Sequence, residues 1–165
     1  FIVQKEHQEK YNINSVLKIL KPNCKIIELD HITEGAACTT LLAKKFINTS
    51  NPLIIANSDQ YIKWDSIKSM YNYNQKKIDG SILTFEAIHP KWSYAKTDKN
   101  NFVTEVAEKK VISKNATVGV YYWKKGSDYV NCAETMIKKN IRVNNEFYVC
   151  PVYNEAIGEL SLIHI

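Results

Sequence analysis

The stretch Leu53-Ile-Ile-Ala-Asn-Ser-Asp-Gln60 decides how the rest of the chain is read. Leu53 to Ala56 is an uninterrupted apolar run of the kind found in a strand buried on both faces, and such strands sit centrally in parallel sheets. Asn51-Pro52 ends the segment before it, because proline lacks a backbone donor and biases the preceding residue away from helix. In open α/β sheets ligands bind beyond the carboxyl ends of the strands, and Asp59 stands at that place. A short carboxylate there suits Mg²⁺, which takes one or two protein carboxylates and completes its shell with substrate phosphates and water. A cap on the following helix, or an Asx-turn, accounts for the same residue.

Upstream, residues 1–3 form a short apolar run. Residues 5–20 carry Tyr11, Ile13, Val16, Leu17 and Leu20 mostly three and four apart, which predicts a strand followed by a helix. After Lys21-Pro22-Asn23 comes a β-rich run over 25–29, and Thr33 is an N-cap candidate for a helix carrying Ala37, Leu41, Leu42 and Phe46. Downstream, the pattern predicts a helix from about 60 to 77, a strand over 81–87, and strand-like stretches over 93–97 and 102–107. A strand over 117–123 and a helix over 127–139 follow. Alternation of strand and helix passing into a strand-rich second half predicts the α/β class, a three-layer α/β/α sandwich with a mixed, mainly parallel sheet.

Composition narrows the function. With 165 residues, 45% hydrophobic and 24% charged, the chain has globular rather than disordered usage and the length of one domain. Its apolar runs are a few residues long, whereas a membrane span needs roughly 20. The net charge is +5, but the 22 basic residues are 21 lysines and Arg142. Base-edge readout favours arginine, so a solvated lysine-rich surface is expected, with no nucleic acid and no membrane as partner. Cys24, Cys38, Cys132 and Cys150 have no metal or disulfide spacing, and reduced thiols in a cytoplasmic protein are expected. The scattered His7, His31, His89 and His164 give acyl-transfer chemistry no support, and no glycines are spaced as GxGxxG or a P-loop. Residues 1–158 are read as a partial domain and 159–165, ending Leu160-Ser-Leu-Ile-His-Ile165, as a non-native tail outside the fold.

Three further segments can carry chemistry. Alternation through Phe102, Thr104, Val106 and Glu108 suggests a strand ending at Glu108-Lys109, where an ammonium meets a phosphate and a carboxylate meets sugar hydroxyls. A solvated surface pair is the alternative. Thr33-Glu-Gly-Ala-Ala-Cys-Thr39 is a small-residue helix start that lets a flat ring approach, or simply a tight strand-to-helix turn. Asn145-Glu-Phe-Tyr-Val-Cys-Pro-Val-Tyr-Asn154 mixes aromatic and polar residues, as a site or as core with an exposed rim.

The joint order of these elements resembles the sugar-phosphate nucleotidyltransferases, a family with a glycosyltransferase-A-like fold. Within it the chain is similar to the glucose-1-phosphate thymidylyltransferase-like branch of bacterial capsule and lipopolysaccharide clusters, through Trp92-Ser-Tyr94 and the segment from Glu146 to Asn154. The resemblance covers about residues 1–158. It implies that Asp59 binds a catalytic Mg²⁺, that Gly35 and Ala36 line the nucleotide base with Thr33, Glu34 and Ser58 nearby, and that Lys109 holds the sugar-1-phosphate. Glu108, Ser93 and Thr117 fall near the sugar, and Asn154 falls near a second metal-binding position. The implied substrates are a nucleoside triphosphate and a sugar-1-phosphate, joined with release of pyrophosphate; homo-oligomerisation stays open. The resemblance also implies an N-terminal strand and glycine-rich, triphosphate-gripping loop before Phe1. Two alternatives remain. A glycosyltransferase of the same fold usually carries Asp-x-Asp where this chain reads Asn57-Ser58-Asp59, and a catalytically silent nucleotide-binding module would keep only the pocket.

Overall fold

The computed structural model describes residues 1–76, 78–158 and 163–165. The elements are β1 (Ile2–Gln4), α1 (Lys5–Tyr11), α2 (Ile13–Leu20), β2 (Ile27–Leu29), α3 (Ala36–Leu41), α4 (Lys44–Ile47), β3 (Leu53–Ala56) and α5 (Ser66–Lys76). They continue with β4 (Gly80–Glu86), β5 (Tyr94–Thr97), β6 (Val103–Ala107), β7 (Asn115–Trp123), α6 (Gly126–Lys138), α7 (Val152–Ile157) and β8 (Ile163–His164).

Strand β7 is the spine of the main sheet. Asn115–Trp123 is β-branched and aromatic throughout its second half, and that half is almost wholly buried. β4 runs antiparallel along one edge of β7, while β3 and β5 share the other; β6 pairs with β5, and β8 lies parallel to β4. Side chains alternate across the strand. Trp123 stacks on Tyr153 of α7 at 4.3 Å between ring centroids, and Tyr122 meets Tyr73 of α5 at 4.7 Å on the opposite face. The sheet is therefore covered on both sides, with α6 and α7 on one face and α5 on the other, giving the expected three layers. Tyr129, Val130 and Met136 of α6 complete the core beneath Trp123.

Strand direction differs from expectation. The sheet is mixed, but among the described residues its only parallel pairing is β4 with β8. β3 and β4 do point the same way, yet β7 returns between them, and hydrophobic periodicity carries no information about such a return. Nor is β3 central: β7 is its one strand partner among the described residues, and Ile54 and Ala56 are exposed. β1 and β2 form a separate two-stranded parallel sheet. Phe1, Ile2 and all four residues of β3 line a 630 Å³ cavity between the two sheets.

Several local expectations are also corrected. The helix expected over 5–20 breaks into α1 and α2 at Asn12, whose left-handed φ of 49° asparagine tolerates better than most residues. Thr33 does not cap a helix; α3 starts after Gly35, and a second short helix, α4, follows a turn. α5 begins at Ser66 rather than near 60, because the Asp65 carboxylate accepts from the Lys68 backbone N–H at 3.0 Å and so supplies the cap. Lys77, the expected end of that helix, lies outside the described residues. The C-terminal residues are not excluded from the fold: Ile163–His164 pair with Gly80 and Ser81, and Ile163 is buried in the core. Ile165 packs against the same core and His164 bridges to Phe102, so apolar burial on both sides of His164 helps seat the two-residue strand. Residues 159–162 of the expected tail lie outside the described residues. None of the four cysteines forms a disulfide among the described residues, and among these no helix is long and apolar enough to cross a membrane.

Candidate functional site

Two cavities meet at Ala36, Asn57 and Val149, which line both. The smaller, 290 Å³, gathers Ser93, Glu108, Lys109 and Thr117 from the ends of three strands. The larger, 630 Å³, holds Ser58 and Asp59 in the turn after β3.

In the smaller cavity the backbone fixes the frame. The Lys109 N–H donates to the Trp92 carbonyl at 3.1 Å, and the Thr117 N–H donates to the Ser93 carbonyl at 2.8 Å. Lys109 itself sits in the left-handed region at φ 53°, a conformation that L-residues other than glycine and asparagine seldom adopt. That turn sends adjacent side chains in opposite directions. Glu108 goes inward, is only 9% exposed, and accepts a hydrogen bond from the Ser93 hydroxyl. Burial pushes its carboxyl above the usual carboxylate range, against the lowering effects of Ser93 and Lys109. Lys109 goes outward, where its ammonium donates to the Tyr148 hydroxyl at 2.6 Å; that bond raises its pKa. Buried Thr117 shares a 3.1 Å hydroxyl contact with Tyr121, whose phenol burial holds well above the ordinary value. The site thus presents an ammonium at the mouth and hydrogen-bonding groups at the floor, a pairing suited to a phosphorylated polyol.

The Thr33–Ala37 segment is built against Phe147. The Phe147 N–H donates to the Glu34 carbonyl at 2.8 Å and the Ala37 N–H donates to the Phe147 carbonyl at 2.9 Å. Gly35, at φ 119°, makes this approach possible, since a Cβ there would lie 2.6 Å from the Phe147 backbone. Arg142 pins the outside by pairing with Glu34 at 2.7 Å and stacking 4.1 Å above the Phe147 ring. The Thr33 hydroxyl is engaged with Thr39 at 2.6 Å and the Gly35 carbonyl at 3.0 Å. Of Thr33, Glu34, Gly35 and Ala36 only Ala36 lines the cavities, and the other three hold it there.

Asp59 is exposed, and no hydrogen bond or ion pair engages its side chain among the described residues. The helix after it is capped by Asp65, so capping does not account for Asp59. Its turn is held against β7 by the Asn57 N–H donating to the Gly119 carbonyl at 3.0 Å and by Gln60 donating to the Val118 carbonyl. Gly119, at φ 73°, makes room, because a Cβ there would lie 2.7 Å from Asn57 Cγ. Asn154 lines neither cavity. Its amide accepts from the Val106 N–H at 2.9 Å and donates to the Val106 carbonyl at 2.8 Å, so it closes the outer edge of β6 instead of standing beside Asp59 as a second metal ligand.

Among the lining residues that had no assigned role in the sequence are Asn57, Gln60, Tyr121 and Tyr148. These four lie inside stretches singled out for other members, so proximity to those members was the available signal.

No protein-family model matches the chain, and no curated protein matches it. Solved structures do. A nucleoside-diphosphate-sugar pyrophosphorylase from Vibrio cholerae RC9 superposes with a TM-score of 0.80 at 23% identity, covering 99% of this chain and 70% of its own. The chain has the sugar-phosphate nucleotidyltransferase fold. A putative glucose-1-phosphate thymidylyltransferase from Bacillus anthracis in complex with a sucrose gives 0.73 at 14% identity, covering 99% and 64%. A UDP-glucose pyrophosphorylase complexed with UDP-glucose gives 0.64 at 13%, covering 95% and 64%. The chain therefore spans under two thirds of the length of the latter two nucleotidyltransferase-fold proteins.

Proposed function

We propose that this chain belongs to a sugar-phosphate nucleotidyltransferase, a cytoplasmic enzyme of bacterial surface-polysaccharide synthesis. It would join a nucleoside triphosphate to a sugar-1-phosphate and release pyrophosphate. The supporting observation is the division between the two adjoining cavities, with Lys109 over Glu108, Ser93 and Thr117 in one and the unengaged carboxylate of Asp59 in the other. Lys109 would take the phosphate of the sugar as a compact point charge, and the floor groups would take its hydroxyls. Asp59 would hold Mg²⁺. A single exposed carboxylate fits a cation whose shell substrate phosphates and water complete, and among the described residues no three His, Cys, Asp or Glu side chains gather into a site of their own. When bound, the ion offsets charge on the α-phosphate. The chain's residues contribute by holding two mutually repelling anions with the sugar-phosphate oxygen in line with the α-phosphorus. No protein nucleophile is required.

The test is pyrophosphate release from a panel of nucleoside triphosphates and sugar-1-phosphates by the product of the gene's full reading frame. Sugar-phosphate binding is followed by calorimetry on the 165-residue chain. Mg²⁺-dependent release with at least one substrate pair is expected. Transfer from a sugar nucleotide to an acceptor, with no pyrophosphate formed from any pair, would replace this reading with the glycosyltransferase one.

A further inference from the structure

We infer that Tyr148 is a positioning residue, one that keeps the Lys109 ammonium free for a sugar phosphate by standing between it and the Glu146 carboxylate. The inference rests on the reading of Lys109 given above.

The Lys109 backbone is pinned by its bond to Trp92, so the side chain is left to choose among partners within its reach. Two carboxylates act on the ammonium, those of Glu108 and Glu146. Glu108 is buried and tied to Ser93. Glu146 is exposed, and its carboxylate is engaged by Tyr148. Tyr148 occupies the space between: the ammonium donates to its hydroxyl at 2.6 Å and lies 4.7 Å from its ring centroid, while the hydroxyl donates to Glu146. A phenol hydroxyl has one proton to give, and here it goes to the carboxylate, so the oxygen can face the ammonium only as an acceptor.

The consequence is electrostatic. An ammonium closed onto a carboxylate is neutralised, and an incoming phosphate must first break that charge-assisted pair. An ammonium resting on a neutral phenol keeps its full charge, and a hydrogen bond to a neutral group is the weaker one to displace. Tyr148 thus aims Lys109 while leaving the charge unspent, and Glu146 fixes the direction of the phenol proton that makes this work.

The test is calorimetric titration of the 165-residue chain with glucose 1-phosphate and with inorganic phosphate, in wild type, Tyr148→Phe, Glu146→Gln and the double variant. Thermal unfolding is followed in parallel. Tyr148→Phe keeps the ring beneath the lysine stem but lets the ammonium fall onto Glu146, so affinity should drop about fivefold, the scale of one hydrogen bond's net worth. Glu146→Gln alone should stay within about twofold, as expected for an exposed charge. The double variant should recover most of the loss, because no carboxylate remains to capture the ammonium. Equal affinity in wild type and Tyr148→Phe overturns the inference alone. A double variant no better than Tyr148→Phe also overturns it and leaves a packing role. Failure of wild type to bind either phosphate compound brings down the sugar-phosphate reading and the inference together.

Discussion

Asp59 and Glu108 are two carboxylates in opposite surroundings, and each makes its own prediction. Asp59 is exposed and the next helix has its cap in Asp65, so Asp59→Asn should leave urea-unfolding stability unchanged. Turnover of the full reading frame should still fall at least about a hundredfold, or roughly 2.7 kcal/mol of transition-state stabilisation. Activity within a few-fold of wild type would end the metal-ligand assignment. Glu108 is buried, and its raised pKa means the folded state holds the proton more tightly than the unfolded chain does. Its favourable contribution is therefore fully present below the ordinary carboxylate range and is lost as pH rises through the raised value. Glu108→Gln keeps an acceptor for Ser93 and removes that ionisation. Unfolding curves of the two proteins should nearly coincide in acid and separate in favour of the variant toward neutral pH. A gap that does not change with pH would show that Glu108 ionises at no cost to the fold.

At the scale of elements, β6 is the outer strand of the main sheet and Asn154 of α7 serves as its missing neighbour. An edge strand left open invites pairing with another chain; here one amide satisfies both the N–H and the carbonyl of Val106. Asn154→Asp separates this role from metal binding. An aspartate would strengthen a metal site, but against β6 it loses the donor and sets a carboxylate beside a carbonyl. Stability should drop by about 1 kcal/mol, the net worth of one part-buried hydrogen bond, with no gain in Mg²⁺ affinity by calorimetry. Tighter Mg²⁺ binding at unchanged stability would restore the ligand reading. Gly35 shows the same logic just before α3: its lack of a side chain lets the chain approach the Phe147 backbone, and the cavity-lining Ala36 is positioned as a result.

Across the whole molecule, stability is unevenly distributed. The main sheet is held by Trp123, Tyr129, Phe147 and Tyr153, all fully buried. The unit made by β1, α1, α2 and β2 has no such centre: neither helix contains a buried residue, and Ile19 and Leu20 remain 80% and 75% exposed. Elements with little buried apolar area open at low free energy. Amide hydrogen exchange should therefore be fast through residues 2–29 and slow through β7 and α6, with limited proteolysis cutting first in the N-terminal unit. Protection there equal to that of β7 would show that the two sheets are coupled more tightly than their packing implies.

The sequence by itself determined what depends on neighbours along the chain. Alternation in Phe102 to Glu108 marked β6, the apolar run Leu53–Ala56 marked β3, and the order of short motifs pointed to a fold that the solved structures share. It also placed Ser93, Glu108, Lys109 and Thr117 among the candidates that prove to share one cavity. Only the tertiary structure decided what depends on residues far apart. Whether β3 lay in the middle or at an edge turned on the path of β7, some 60 residues later in the chain. The place of Asn154 turned on the path of β6, and the partner of Lys109 on a tyrosine 39 residues away. Periodicity records which face of an element is apolar; it does not record which element comes to cover that face, nor which polar group waits there.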